Sequence, residues 1–141
     1  DYAKGTLSDN DIKKMISIAK KAKKKILIDP KGSDFTKYKG ATLVKPNLKE
    51  FELIVGKCKD QQDLILKGKK LLKQLKLEYL MITQGSKGMT LIRASNTTSH
   101  ESAISKEVYD VTGAGDTVIA TIAAAGATKY IPMLSSIRLI P

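Results

Sequence analysis

Short apolar runs that stop at polar turn residues alternate with amphipathic helical stretches along this chain, and no other feature constrains its fold as tightly. Lys25-Ile26-Leu27-Ile28 ends at Asp29-Pro30, and Ala41-Thr42-Leu43-Val44 ends at Lys45-Pro46-Asn47. Tyr79-Leu80-Met81-Ile82-Thr83 ends in the glycine-bearing turn Gln84–Gly88. Such runs suit strands buried on both faces, as in parallel sheets. Before the first run, Ser8 or Asp9 caps a helix with Ile12, Met15, Ile16 and Ala19 on one stripe. Leu48–Val55 reads as a short helix closed by Gly56. Asp60 opens a longer one that buries Leu64, Ile65, Gly68, Leu71, Leu72 and Leu75. Lys31–Gly40 is expected to be a loop, Met89–Ile92 a hairpin partner of the third strand, and Arg93–Ser105 a polar loop. A last short strand at Val108–Tyr109 leads through Asp110–Asp116 into a helix that runs to Ala125. Strand, crossover helix and strand, repeated, predict an α/β fold with a mostly parallel sheet and helices on both faces.

Composition removes several function classes. No apolar stretch approaches the roughly 20 residues needed to span a bilayer, and no apolar signal region follows Asp1-Tyr2-Ala3-Lys4. The chain lacks an initiator Met, so it is expected to begin inside a longer protein. Cys58 is the single cysteine, which excludes an intrachain disulfide and a cysteine-based metal cluster and points to a reducing, cytoplasmic setting. Its neighbours Lys57 and Lys59 could lower its pKa, yet no partner base is in view, and an incidental cysteine is the preferred reading. His100, the one histidine, is expected in a surface loop. The formal charge of +11 comes almost wholly from Lys, with only Arg93 and Arg138 as arginines. Few aromatic residues lie among those lysines to stack on bases. A solvated Lys-rich surface is therefore favoured, and a non-enzymatic basic α/β module binding nucleic acid or polyanions is the alternative.

In open α/β sheets ligands collect beyond the carboxyl ends of the strands. Asp29 and Lys31, Asn47 and Glu50, Thr83 and Gly85, and Asp110 through Asp116 all fall at such ends. In Gly113-Ala114-Gly115-Asp116 the small residues let a phosphate approach the backbone, and Thr117–Ala125 is strongly helix-forming. Free N–H groups and a helix dipole would face an anion there. An Asp in that first turn can take the proton of an attacking hydroxyl, or simply cap the helix. Asn47 and Glu50 likewise read as a capping box, or as groups holding water around Mg²⁺ on nucleotide phosphates. Neither a Walker A sequence nor a spaced G-x-G-x-x-G is present.

Asp110-Val111-Thr112-Gly113-Ala114-Gly115-Asp116-Thr117 resembles the second signature of the ribokinase-like, or PfkB, carbohydrate kinases. Asn47-Leu48-Lys49-Glu50 is similar to that family's Asn-x-x-Glu motif. Thr83-Gln84-Gly85-Ser86-Lys87-Gly88 is similar to its Thr-x-Gly-x-x-Gly nucleotide turn, and the three stand in the expected order. Longer stretches, such as Ile28-Asp29-Pro30-Lys31-Gly32 and Val55-Gly56-Lys57-Cys58-Lys59, resemble one branch of the family. That branch phosphorylates D-glycero-β-D-manno-heptose 7-phosphate at O1, a step towards ADP-heptose and the lipopolysaccharide core. A kinase for another sugar is the nearest variant.

The resemblance covers residues 1 to about 126 and weakens through Ala127–Arg138. It implies a ribokinase-like three-layer α/β/α fold, with residues 1–141 as the C-terminal part of one kinase domain. The N-terminal half with its sugar-binding strands and β lid, and the branch's adenylyltransferase domain, have no counterpart here. A partial domain, inactive by itself, is the expectation. The resemblance further implies ATP and Mg²⁺ as cofactors, a sugar phosphate as substrate, no membrane partner, and a homodimer at full length. Carried over residue by residue, Asp116 is the catalytic base, with Gly113, Ala114 and Gly115 as the anion hole. Asn47, Leu48, Lys49 and Glu50 take part in ATP and Mg²⁺ binding, Glu50 reaching the metal through water. Thr83, Gly85 and Gly88 line the nucleotide. Asp110 and Thr112 match positions that hold a monovalent cation such as K⁺ in some relatives. Lys31 and Lys45, by charge and strand-end position, are expected to meet the sugar or its phosphate.

Overall fold

A computed structural model describes residues 7–102. Helix α1 (Asp9–Lys21) starts at Ser8, whose hydroxyl accepts from the Asp11 amide while the Asp11 carboxylate accepts from the Ser8 amide. This reciprocal cap satisfies two amides that a helix start leaves unpaired. Only Ile12 and Ile16 of the expected stripe are buried; Met15 is half exposed. The stripe is narrow because α1 packs on a short turn rather than across the full sheet.

The expected loop at Lys31–Gly40 contains that one short element. Thr36–Tyr38 forms a 3-10 turn, with Phe35 and Tyr38 fully buried and their rings edge to face at 5.7 Å. These two aromatics supply the apolar cover that a helix gives in an ordinary crossover between parallel strands. The strands on either side, β1 (Leu27–Ile28) and β2 (Leu43–Val44), are shorter than the apolar runs that contain them. They pair parallel, Leu27 against Leu43 and Ile28 against Val44. The buried Thr42 hydroxyl accepts from the Ile26 amide and extends the join.

Helices α2 (Leu48–Val55) and α3 (Gln61–Leu75) form the crossover to β3 (Tyr79–Thr83), which pairs parallel with β2. Strands β4 (Met89–Arg93) and β5 (Thr98–Glu101) continue antiparallel, giving the order β1-β2-β3-β4-β5 among the described residues. Strand β5 replaces the expected polar loop, and it carries His100. Its residues Thr98-Ser99-His100-Glu101 show no apolar alternation. They are extended because β4 offers a free edge after a tight turn at Ala94–Asn96.

All three helices contribute to one core with Val44, Leu80, Ile82 and Ile92. The alternate residues Leu43, Met81, Met89 and Leu91 form a second cluster on the opposite sheet face. The mostly parallel expectation holds for β1–β3, where the carboxyl ends of three strands and the start of α2 meet at one edge.

Candidate functional site

At that edge the chain brings together residues distant in sequence. The isolated parallel bridge between Asn47 and Thr83 sets two of the expected site residues side by side, and the Thr83 amide donates to the Pro46 carbonyl at 3.1 Å. Asn47 is the N-cap of α2: its Oδ1 accepts from the Glu50 amide, and Glu50 Oε2 accepts from the Asn47 amide, both at 2.9 Å. The capping-box reading of this pair is thus realised. It leaves Glu50 Oε1 aimed elsewhere, accepting from Lys31 Nζ at 2.8 Å. Leu48 packs against the core and Lys49 is exposed.

Lys45 is the most deeply enclosed cation of the group, its side chain only 4% exposed and paired at 2.9 Å with Asp29. A buried ammonium requires such a partner. The two lysines expected near a sugar phosphate therefore each hold a carboxylate of the same edge. This leaves two ion pairs, Lys45 with Asp29 and Lys31 with Glu50, across the ends of β1 and β2.

The turn after β3 is glycine-bearing and closed on itself by backbone bonds. Gly85 and Gly88 adopt φ values of +60° and +88°, a region that favours glycine. A side chain at Gly85 would meet nothing within 4 Å, so this backbone stands open to a ligand. The turn closes through the Gln84 amide, which donates to the Gly88 carbonyl at 2.7 Å. No cluster of three or more His, Cys, Asp or Glu that could hold a metal exists among the described residues. Both Glu50 oxygens are engaged, by the Asn47 amide and by Lys31 Nζ, and each keeps a second acceptor site that could take a water of a hydrated Mg²⁺.

Sequence reasoning missed the polar cluster of Gln61, Gln84, Thr90 and His100 that backs this turn. Gln61 and Thr90 are 29 residues apart, and no local signal joins them. Cys58 departs from the suggestion its flanking lysines made: burial pushes its thiol up from the ordinary value, outweighing Lys67. Asp110, Thr112, Gly113, Ala114, Gly115 and Asp116 lie outside the described residues, as do the expected strand at Val108–Tyr109 and the helix to Ala125.

The model of the pfkB family carbohydrate kinases matches residues 3–130. The chain belongs to this family. It is 53% identical over 125 residues to the bifunctional protein HldE of Haemophilus influenzae (strain Rd), covering 89% of this chain and 26% of that protein. With HldE of Pasteurella multocida it shares 52% over 123 residues, 87% of this chain and 25% of that protein. The chain thus spans about a quarter of the length of the curated relatives it matches. Among solved structures, Arabidopsis thaliana ribokinase complexed with ribose and ATP superposes with a TM-score of 0.76 at 24% identity, covering 86% of this chain and 40% of that one. Escherichia coli phosphofructokinase-2 gives 0.77 at 18% identity, covering 88% and 41%. These likenesses establish the ribokinase-like fold.

Family membership also bears on the basic alternative. A groove of about 890 Å³ lined by Lys69, Lys70, Lys73, Lys76 and Arg93 lies at the other edge of the sheet, beside the start of β3. Phe35, Tyr38 and Phe51 are fully buried, so they offer bases no stacking surface. No described helix is long and apolar enough to cross a membrane.

Proposed function

We propose that the protein carrying this chain transfers a phosphoryl group from ATP to a sugar hydroxyl, with D-glycero-β-D-manno-heptose 7-phosphate as acceptor at O1. The observation that carries this reading is the convergence of Asn47, Glu50 and the open Gly85 turn at one strand edge, in a pfkB chain 53% identical to HldE. ATP supplies the phosphoryl group, and Mg²⁺ neutralises the charge on its phosphates. Thr83, Gly85 and Gly88 cradle the nucleotide, while Asn47, Leu48, Lys49 and Glu50 hold its phosphates and the hydrated metal. Asp116 takes the proton from O1 as that oxygen bonds to the γ-phosphorus and the bond to the β–γ bridging oxygen breaks, releasing ADP. Backbone amides at Gly113, Ala114 and Gly115 hold the charge that develops on the transferred group. Asp110 and Thr112 hold a monovalent cation. Lys31 and Lys45 meet the sugar or its phosphate from beside their carboxylate partners Glu50 and Asp29. A cytoplasmic homodimer suits this activity.

Asp116→Asn in the full-length protein tests the reading. It should lower turnover, followed by ADP release, by roughly 10²–10⁴-fold and leave ATP affinity by titration calorimetry near wild type. Near-normal turnover would remove Asp116 as the base. Wild-type turnover on another sugar but none on heptose 7-phosphate would remove the acceptor.

A further inference from the structure

Behind the open turn at Gly85, four elements contribute one polar side chain each to a closed hydrogen-bonded cluster. Gln61 is the first residue of α3, Gln84 follows β3, Thr90 lies on β4, and His100 on β5 is the register partner of Thr90. Thr90 is fully buried. Its hydroxyl donates to Gln84 Oε1 at 2.7 Å and accepts from Gln61 Nε2 at 2.7 Å. Gln84 Nε2 donates to Gln61 Oε1 at 3.0 Å and closes a three-membered ring. If both amides are turned over, the ring runs in the opposite sense with the same partners. In either sense the single hydroxyl proton of Thr90 is used inside the ring. His100 Nδ1 lies 2.9 Å from the Thr90 oxygen and 3.5 Å from Gln61 Nε2, its donor or acceptor role set by the ring tautomer.

We propose that this ring makes Gln61 and Thr90 positioning residues for ATP, acting through Gln84 on the turn Thr83–Gly88. The inference rests on the reading of that turn as the nucleotide cradle. Gly85 and Gly88 give the turn its shape but also a large conformational freedom in the absence of restraint. Its own backbone ties are few: Gln84 to Gly88, Gly88 to Gly85 and Lys87 to Gln84. Beyond the strand pairing at Thr83 and Met89, the side chain of Gln84 ties the turn to Gln61 of α3 and Thr90 of β4. Fixing the turn before a nucleotide arrives removes an ordering cost from binding. Merely structural hydrogen bonds would stabilise the hairpin and leave nucleotide affinity unchanged.

The test uses the full-length protein with ATP·Mg²⁺ as the probe, and compares Thr90→Val, Thr90→Ser, Gln61→Ala and Gly85→Val. Thr90→Val keeps the shape and removes the hydroxyl. It should raise the KM and Kd for ATP roughly tenfold and leave the KM for the sugar phosphate within about twofold. Thr90→Ser, which restores the hydroxyl, should return ATP affinity to near the wild-type value. Gln61 is only half-buried, so Gln61→Ala decides the matter if Thr90→Val does not fold, and it should show the same selective loss. Gly85→Val reports on the cradle itself, because a β-branched residue is strained at φ +60°. If Gly85→Val binds ATP like wild type, the cradle reading falls and the inference with it. If Gly85→Val weakens ATP binding while Gln61→Ala and folded Thr90→Val do not, the positioning role alone is overturned.

Discussion

Gly68 lies where α3 packs on the sheet against Ile92, Ile82 and Leu80, and replacing it with alanine probes how tightly that contact is packed. A Cβ at this position would overlap Ile92 Cδ1 and lie 3.6 Å from both Ile82 Cδ1 and Leu80 Cδ2. The last two distances are ordinary contacts; the first is not. Gly68→Ala gains about 1 kcal/mol in helix propensity. Against that, an extra carbon in a filled core costs about 1–3 kcal/mol. Ile92 Cδ1 is the end of a side chain, but Ile92 is fully buried among Leu80, Ile82 and the α3 leucines, so moving it displaces packed neighbours. That puts the cost in the upper part of the range, about 2–3 kcal/mol, and the balance is a net loss of about 1–2 kcal/mol. With a urea slope of about 2 kcal/mol per molar, the midpoint should fall by about 0.5–1 M. Ile92→Val removes the obstructing carbon and costs about 1 kcal/mol by itself. In the double variant the alanine methyl fills the vacated space, so the two losses should not add. The cycle should return a favourable coupling of about 1–2 kcal/mol. A Gly68→Ala midpoint at or above wild type, or strict additivity in the double variant, would refute the claim that close approach at Ile92 requires glycine.

Two further predictions concern titrating groups. Burial raises the Cys58 thiol above its ordinary 9.0, so its reaction with a disulfide reagent at neutral pH should be slower than that of glutathione and still climb above pH 9. A rate that levels off below pH 8 would contradict this. Asp11, Asp34, Glu52 and Asp63 are held below their ordinary values of 3.8 or 4.5 by hydrogen bonds from Ser8, Thr36, the Cys58 amide and the Lys59 amide respectively. The unfolded chain therefore binds protons at a higher pH than the folded one. Their stabilisation is complete above about pH 4.5 and is lost as pH falls through the lowered folded values. Urea midpoints should be lower at pH 3 than at pH 6, and the Ser8→Ala and Thr36→Ala variants should narrow that gap. An unchanged gap in both would show that these bonds do not carry the effect.

Much of the local geometry at this edge was legible because its signals are local. Asn47 and Glu50 stand three residues apart, so their reciprocal cap forms from one turn of chain whatever lies around it. The same holds for the Ser8 cap with Asp11, for the Gly56 stop of α2, and for the glycines of the Thr83–Gly88 turn. The buried face of α3 followed from its period, with Leu64, Gly68, Leu71, Leu72 and Leu75 enclosed and Ile65 half-buried at its margin. The family signature and its order are likewise properties of the string of residues, and 3–130 is the span they mark.

Tertiary structure decided what depends on residues meeting from far apart. Thr98–Glu101 is a strand only because β4 offers it an edge, and Phe35 and Tyr38 are core only because a parallel crossover must be covered. Met15 is exposed because α1 packs on that crossover along a narrow stripe. Lysines flank Cys58 in sequence, yet desolvation in the folded chain controls its thiol. The pairing of Lys45 with Asp29, of Lys31 with Glu50, and the Gln61–Gln84–Thr90 ring belong to this second group. Caps, turns and helical stripes are set by bonds and periods spanning a few residues. Burial and cross-element hydrogen bonds are set by which surfaces the whole chain excludes from water.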